Sequence, residues 1–345
     1  MLESARIAFV NGVNGVNGVN GVADVLERIV DERYYTLTAE SHVPVLRDEA
    51  VTALVTDPDG CYVDCTYGRG GHTAAILARL SARGRLLVID KDTTAVSDAR
   101  QKYTTDPRVA ISHGSFAEIA RFAAAHELPP LTGVLLDLGI SSPQINQAER
   151  GFSFDKNGPL DMRMDQTQGQ TAAEWLMTAD EEDIARVLKT FGEERFGKRI
   201  ARGVVEARQV APITTTHQLV AIIDAAVPYV DFHKHPATRS FQGIRIFINN
   251  ELGDIEVSLA ASLQALAVGG RLVVISFHSL EDRIVKRFMR DLAKGDKLPD
   301  RLPIRDSEII RTVKLVGKAI KPTDAEIAVN RRSRSSIMRI AEKLL

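Results

Sequence analysis

Cysteine is scarce in this sequence, at two residues in 345, and tryptophan occurs once. Cys61 and Cys65 stand four apart in a stretch with the texture of a strand, where extended backbone would hold their Cα atoms about 13 Å apart, beyond disulfide reach. They are expected as buried thiols in a reducing compartment. Neither sign of charge is in excess: 45 acidic residues face 44 Lys and Arg, for a formal charge of -1. No whole-molecule field therefore draws this chain onto a polyanion, and contact with nucleic acid must come from local patches. Long apolar runs are missing too. Nothing approaches the roughly 20 residues that a membrane span requires, and the N-terminus has neither the basic start nor the unbroken apolar stretch of a secretory signal. The expected address is the cytoplasm, with no membrane partner. His233 and His235 form an isolated pair with no Cys or carboxylate at ligand spacing, so no metal is expected.

What is present suffices for a globular core, with 44% hydrophobic and 26% charged residues. Residues 11 to 22 repeat Asn-Gly-Val four times, a low-complexity tract that favours turns and builds no core. Residues 1–40 are read as an appendage. The charge is uneven: from Gly295 to Leu345 there are 12 Lys and Arg against 7 Asp and Glu, so a basic C-terminal segment is available for phosphates.

From His42 onward short β-rich runs recur at Tyr62 to Asp64, Arg85 to Asp90, Val109 to Ser112, Val134 to Asp137 and Arg271 to Ser276, the first four separated by segments of helical spacing. Alternating β and α elements predict an α/β fold with a doubly wound parallel sheet. Between Asp137 and Arg271 the strand rhythm stops, and a polar, Glu- and Arg-rich stretch over 149–235 reads as an inserted helical domain. The sheet domain is then 41–148 together with 236–345, ending in a strand over Ile337 to Ala341. Ligands of open α/β sheets sit at the carboxyl ends of the strands, so the loops after Asp64, Asp90, Ser112, Asp137 and Ser276 should meet at one crevice.

The first of these loops runs Cys65-Thr66-Tyr67-Gly68-Arg69-Gly70-Gly71-His72, ahead of a helix expected over Thr73 to Leu80. A dinucleotide fingerprint demands a third glycine where Thr73 stands, which argues against NAD. The spacing Asp64-x-Thr66-x-Gly68-x-Gly70 instead resembles the first motif of S-adenosylmethionine-dependent methyltransferases, with Asp64 able to face the positive end of a methionine moiety. Asp90, about 20 residues past the glycines, can accept protons from both hydroxyls of a ribose. Phe116 is placed either to pack on a purine face or as ordinary core. Past the fourth strand, Asp137, Ser141, Ser142 and Gln144 gather a carboxylate, two hydroxyls and an amide, which either meet the reacting groups or cap the next helix. His278 is a second titratable candidate beside the sheet, or a residue that holds its loop.

Together these segments closely resemble the 16S ribosomal RNA (cytosine-1402-N4)-methyltransferases of the class I, Rossmann-like type. The resemblance rests on His42-Val-Pro-Val-Leu-Arg-Asp-Glu49, Gly68-Arg-Gly-Gly-His72, Leu136-Asp-Leu-Gly-Ile-Ser-Ser-Pro-Gln144, Arg150-Gly-Phe-Ser-Phe154, Gly158-Pro-Leu-Asp-Met-Arg-Met164, Phe191-Gly-Glu-Glu-Arg-Phe196, His235-Pro-Ala-Thr-Arg-Ser-Phe-Gln242 and Ser276-Phe-His-Ser-Leu-Glu-Asp-Arg283. It implies S-adenosylmethionine as cofactor, held by Gly70, Gly71, His72, Asp90, Phe116, Asp137 and Gln144. It implies 16S rRNA or the 30S subunit as partner, not DNA. Asp137-Leu-Gly-Ile stands where the wider class of amino-methyltransferases carries an Asp/Asn/Ser-Pro-Pro-aromatic tetrapeptide. Under this reading Asp137 accepts from the cytosine amine and holds it in line, with Ser141 and Ser142 positioning the base; such positioning can supply about 7–11 kcal/mol of a barrier. Phe241 or Phe277 would wall a flipped base. Arg195, Arg199 and Arg202, at i, i+4 and i+7 of a helix expected to start near Glu193, form either an RNA-binding face or a solvated one. The rival functions are methylation of another RNA and a non-catalytic ribosome assembly factor.

Overall fold

The computed structural model describes residues 44–228, 235–295 and 309–345. The reading of 1–40 as an appendage, and that of His42 and His233, lie outside these residues. Seven strands form one sheet: β1 (Cys61–Asp64), β2 (Arg85–Asp90), β3 (Val109–His113), β4 (Leu131–Asp137), β5 (Leu266–Ser276), β6 (Val313–Leu315) and β7 (Ile337–Lys343). Their order is β3-β2-β1-β4-β5-β7-β6. The first five run parallel, as alternating β and α elements require; β7 pairs antiparallel with β5 and β6 antiparallel with β7. All five parallel strands fall on the expected runs, with bounds shifted at some ends. β6 has three residues, too short a run to reveal it.

The side-chain period of two divides the strands between two cores. Val63, Leu87, Ile89, Val134, Leu136, Leu272 and Val274 face one side, under α4 (Ile119–Ala125), α11 (Glu251–Ala265) and α12 (Ser279–Lys294). Tyr62, Leu86, Val88, Leu135, Val273, Ile275 and Met338 face the other, under α1 (Arg47–Leu54), α2 (Gly71–Leu77) and α3 (Thr93–Tyr103). Each such side chain contributes about 1.5–3 kcal/mol of burial. Helices on both faces are what a doubly wound sheet demands.

Between β4 and α11 the chain leaves the sheet for α5 (Ser142–Asn146), α6 (Ala172–Thr178), α7 (Glu181–Gly192), α8 (Gly197–Val210), α9 (Thr216–Ala226) and α10 (Ala237–Ile248). These surround a third apolar cluster drawn from Phe152 to Ile244. In α7, Ile184, Val187 and Leu188 recur at i, i+3 and i+4 and are buried, while Glu181, Glu182 and Asp183 fill the first turn and favour the positive end of the helix dipole. Glu193 then adopts φ 51° and ends α7. The next helix therefore begins at Gly197 rather than near Glu193, and Arg195 precedes it. A last helix, α13 (Asp324–Val329), leads into a 3₁₀ turn ahead of β7.

Candidate active site

The loop after β1 is pinned at both ends by backbone hydrogen bonds, Cys65 N to Leu135 O and Tyr67 N to Ile89 O. Asp64, at the strand's end, is fully buried: one carboxylate oxygen accepts from Thr66 N at 3.2 Å and the other from Thr73 Oγ1 at 2.6 Å. It shapes the loop from beneath, which corrects its reading as a residue facing the ligand. Thr73, which argued against a dinucleotide, is its partner. Gly68 has φ 56°, and a Cβ added there would meet no atom within 4 Å. The loop is open above this residue, so a ligand can approach the bare backbone. Gly70 is the left-handed cap of α2, while Gly71 is closed over: a Cβ there would lie 2.1 Å from Pro44 Cγ.

Two strand-end carboxylates flank this loop. Asp90, closing β2, accepts from Gly68 N and from Asp92 N, each at 2.8 Å and each on a different oxygen. Burial, opposed by those two bonds and reinforced by Asp92 and Asp64, raises its pKa from 3.8 to about 6. A carboxylate has about four lone-pair sites, so both oxygens keep capacity for a further donor. Asp137, closing β4, has its backbone N–H on Thr66 Oγ1 at 2.7 Å. Its Oδ2 lies 3.5 Å from His72 Nδ1, and its Oδ1 is buried with no hydrogen-bond partner. Burial, with Asp64 and Glu281 nearby, pushes its pKa well above 3.8.

His72 is 4% exposed and its Nε2 meets Val45 O at 3.1 Å. A carbonyl can only accept, so Nε2 carries a proton and Nδ1 is the atom turned to Asp137. The structure thus stands His72 behind Asp137, within the protein. Phe116 opens a 3₁₀ turn after β3 and is half-buried against the sheet's apolar cluster. The preceding Ser115 hydroxyl donates to Asp254 Oδ2 at 2.6 Å, and Lys91 Nζ meets the same oxygen at 2.8 Å, tying this loop to α11.

The loop after β4 is organised by α5. Ser141 is its N-cap, with Gln144 in a reciprocal capping box. Both halves of the Gln144 amide are engaged: Oε1 accepts from Ser141 N and Nε2 donates to Asp92 Oδ2, each at 2.9 Å. Arg150 Nη1 donates to that same oxygen at 2.7 Å, while its Nη2 donates to the carbonyls of Arg163 and Met164. Asp92, Gln144 and Arg150 are all buried. Gln144 is therefore a brace between two strand-end loops. Asp92, its partner, and Arg150, which shares that Asp92 oxygen, are absent from the expected site residues.

His278 is the N-cap of α12. Its Nδ1 faces Glu281 N at 3.4 Å and its Nε2 lies 3.2 Å from Glu281 Oε1, while Glu281 Oε2 accepts from Phe277 N and His278 N. Burial alone would raise the Glu281 pKa, but the His278 ring beside it, the Phe277 N–H and the Arg245 charge leave it lowered. His278 thus holds its loop, the second of the two roles open to it. Ser142 is half-exposed and its hydroxyl receives Arg332 Nη1. Arg195, Arg199 and Arg202 are exposed; Arg199 and Arg202 lie on α8, and Arg202 Nε is 3.9 Å from Glu181. Among the described residues no group of three or more His, Cys, Asp or Glu is placed to hold a metal ion, and no helix is long and apolar enough to cross a membrane.

The site fits a nucleoside carrying a charged sulfonium: an open glycine backbone, a strand-end acid with spare lone pairs one strand away, and an unsatisfied carboxylate oxygen on the other side. Comparison with known proteins agrees. The model of the MraW methylase family matches residues 39–344. The ribosomal RNA small subunit methyltransferase H of Pseudoalteromonas atlantica is 55% identical over 310 residues, covering 89% of this chain and 99% of that protein. Its namesake from Chromohalobacter salexigens is 56% identical over 307 residues, covering 88% and 92%. The chain belongs to the MraW methylase family: it is a methyltransferase, and S-adenosylmethionine is its methyl donor.

Proposed function

We propose that this methyltransferase modifies the exocyclic N4 of a cytosine, position 1402 of 16S ribosomal RNA, in the small ribosomal subunit in the cytoplasm. The two relatives are by name methyltransferases of small-subunit ribosomal RNA, and the sequence motifs bring cytosine N4 by resemblance. The observation that carries the reading is Asp137 Oδ1, a buried carboxylate oxygen with no partner at the mouth of the crevice. An unpaired buried acceptor costs about 1–3 kcal/mol and persists where a ligand completes it.

When bound, S-adenosylmethionine supplies an electrophilic methyl group on sulfur. Asp90 holds the ribose hydroxyls, Gly68 and Gly70 offer bare backbone to the methionine end, and Phe116 lies beside the purine. Gly71 and His72 act from behind, the glycine by letting Pro44 close on the loop and the histidine by fixing Asp137. Asp137 would accept from the cytosine amine, turning its lone pair toward the methyl group, and would take a proton as the new N–C bond forms and the methyl's bond to sulfur breaks, with that electron pair staying on sulfur. Ser141 and Ser142 flank the base. The sheet residues 41–148 and 236–345 form the methyltransferase body, and the helical segment 149–235 receives RNA through Arg195, Arg199 and Arg202.

The test is transfer of tritium from labelled S-adenosylmethionine to purified 30S subunits and to free 16S RNA, followed by digestion to nucleosides. Label in N4-methylcytidine is expected. Label in another nucleoside, or none in either RNA, would overturn the assignment.

A further inference from the structure

Arg332 sits in the 3₁₀ segment Arg331–Ser335 just ahead of β7. Its own backbone N–H is held by Asn330 Oδ1 at 3.2 Å, and the next residue, Ser333, is fully buried with its hydroxyl on Asn330 O at 2.8 Å. From this fixed base the side chain crosses to the loop behind Asp137. Nη1 donates to Ser142 Oγ and Nη2 to Asn146 Oδ1 at 3.4 Å. Both acceptors are uncharged. Arg150, Arg245, Arg271 and Arg339 also bridge separate elements, and each of those ends on a carboxylate. Among the described residues no carboxylate lies within ion-pair distance of Arg332. Partial desolvation lowers its pKa, with no acid among the causes, although the side chain remains exposed. The protein thus holds a guanidinium at the edge of the acceptor loop with two donors engaged, three left of its five, and its charge uncompensated.

We propose that Arg332 binds a backbone phosphate of the RNA strand next to the nucleotide being methylated. The inference rests on the reading of RNA as substrate. A planar guanidinium suits a phosphate because two parallel N–H groups can meet two oxygens. Its bonds to Ser142 and Asn146 orient that fork, so one contact fixes the strand relative to the loop that holds Asp137. Arg331 and Arg334 are exposed on either side and extend the positive edge.

The experiment uses the full-length protein, Arg332→Gln and Arg332→Lys, with 30S subunits as substrate across a salt series and S-adenosylmethionine affinity measured separately by calorimetry. Arg332→Gln is expected to lower kcat/KM for the subunit about 10–100-fold, chiefly through KM. It should also flatten the slope of log affinity against log salt by about 0.7–0.9, the share of one phosphate. Arg332→Lys keeps the point charge, so the slope should hold while affinity falls several-fold. Cofactor affinity within twofold of wild type in both variants shows that the crevice is intact. An unchanged salt slope in Arg332→Gln, with the wild type active, would make Arg332 a brace for α5 and sink the phosphate contact alone. Lost cofactor binding would assign the guanidinium to the methionine carboxylate and overturn the proposal equally. A wild type that leaves 30S subunits and 16S RNA unlabelled defeats the substrate reading itself, and this inference with it.

Discussion

Asp90 and Asp137 end β2 and β4, the two strands on either side of β1, and burial raises the pKa of both. Their surroundings differ. Asp90 is gripped by two backbone amides, one on each oxygen; Asp137 has His72 near one oxygen and nothing on the other. The first arrangement suits an acceptor that must not move when a ligand docks. The second suits an acceptor whose partner arrives with the substrate. Between them runs the buried chain of Gln144, Asp92 and Arg150, which ties the β2 loop to the β4 loop and so fixes the distance between the two acids.

Breaking that chain should have the largest effect. Arg150→Leu leaves Asp92 as a buried carboxylate without its cation, and one-sided loss of a buried pair costs about 3–5 kcal/mol. Urea denaturation of the variant should show it, and Asp92→Asn in the Arg150→Leu background should recover part of the loss. No recovery would mean that Arg150 acts through the Arg163 and Met164 carbonyls rather than through Asp92.

Asp137→Asn keeps the shape and an accepting oxygen but removes the carboxylate that takes the proton. The single-turnover methylation rate should fall about 10²–10⁴-fold, the range of a positioned proton acceptor, while S-adenosylmethionine affinity changes only a few-fold. Stability should hold or rise, because a buried ionisable oxygen without a partner is replaced by an amide. Equal losses in binding and rate would make Asp137 a cofactor ligand only.

Asp90→Ala tests the other acid. Losing hydrogen bonds to a charged group costs about 1.5–3 kcal/mol, so calorimetry should show cofactor binding weakened about 10- to 150-fold. The pH dependence sharpens this. Below a pKa of about 6 the Asp90 carboxyl is neutral and accepts less well, so wild-type cofactor affinity should decline as pH falls from 7 to 5. The stability of the unliganded protein should move the opposite way. A folded-state pKa raised above 3.8 means a stabilising contribution that is present at low pH and lost as pH rises through about 6. Asp90→Ala should flatten both trends.

The same contrast explains what the sequence could reveal. Strand ends, Asp90 and Asp137 among them, were legible because short β-rich apolar runs mark a buried strand and ligands gather at its carboxyl end. The brace was not, since Gln144 and Arg150 lie 52 and 58 residues from Asp92 and only folding brings them together. His278 was legible as a titratable group but not as a cap, because the usual N-cap is Ser, Thr, Asp or Asn; the Glu281 three residues on was the available signal. Helical periodicity carried the arginine face back to Glu193, and nothing in a glutamate announces the left-handed conformation that ends α7 there.

That displaced helix start changes what the basic face of the helical segment should do, and with it the smallest expected effect. Arg199 and Arg202 are three apart on α8 and share a face, but Arg195 lies before Gly197, off the helix. Arg202 stands 3.9 Å from Glu181, an exposed pair of the kind worth at most about 1 kcal/mol, which still competes with a phosphate for the guanidinium. Arg199 makes no ion pair among the described residues. The three arginines should therefore be unequal. Arg199→Gln should flatten the salt dependence of RNA affinity by about 0.7–0.9, one phosphate's share, and Arg202→Gln by less. Arg202→Gln combined with Glu181→Gln removes the competing pair together, and should restore little. Cofactor affinity should not move in any of them. Equal slopes for wild type and Arg199→Gln would make this face a solvated one, and would leave the tail arginines around Arg332 as the chain's grip on RNA.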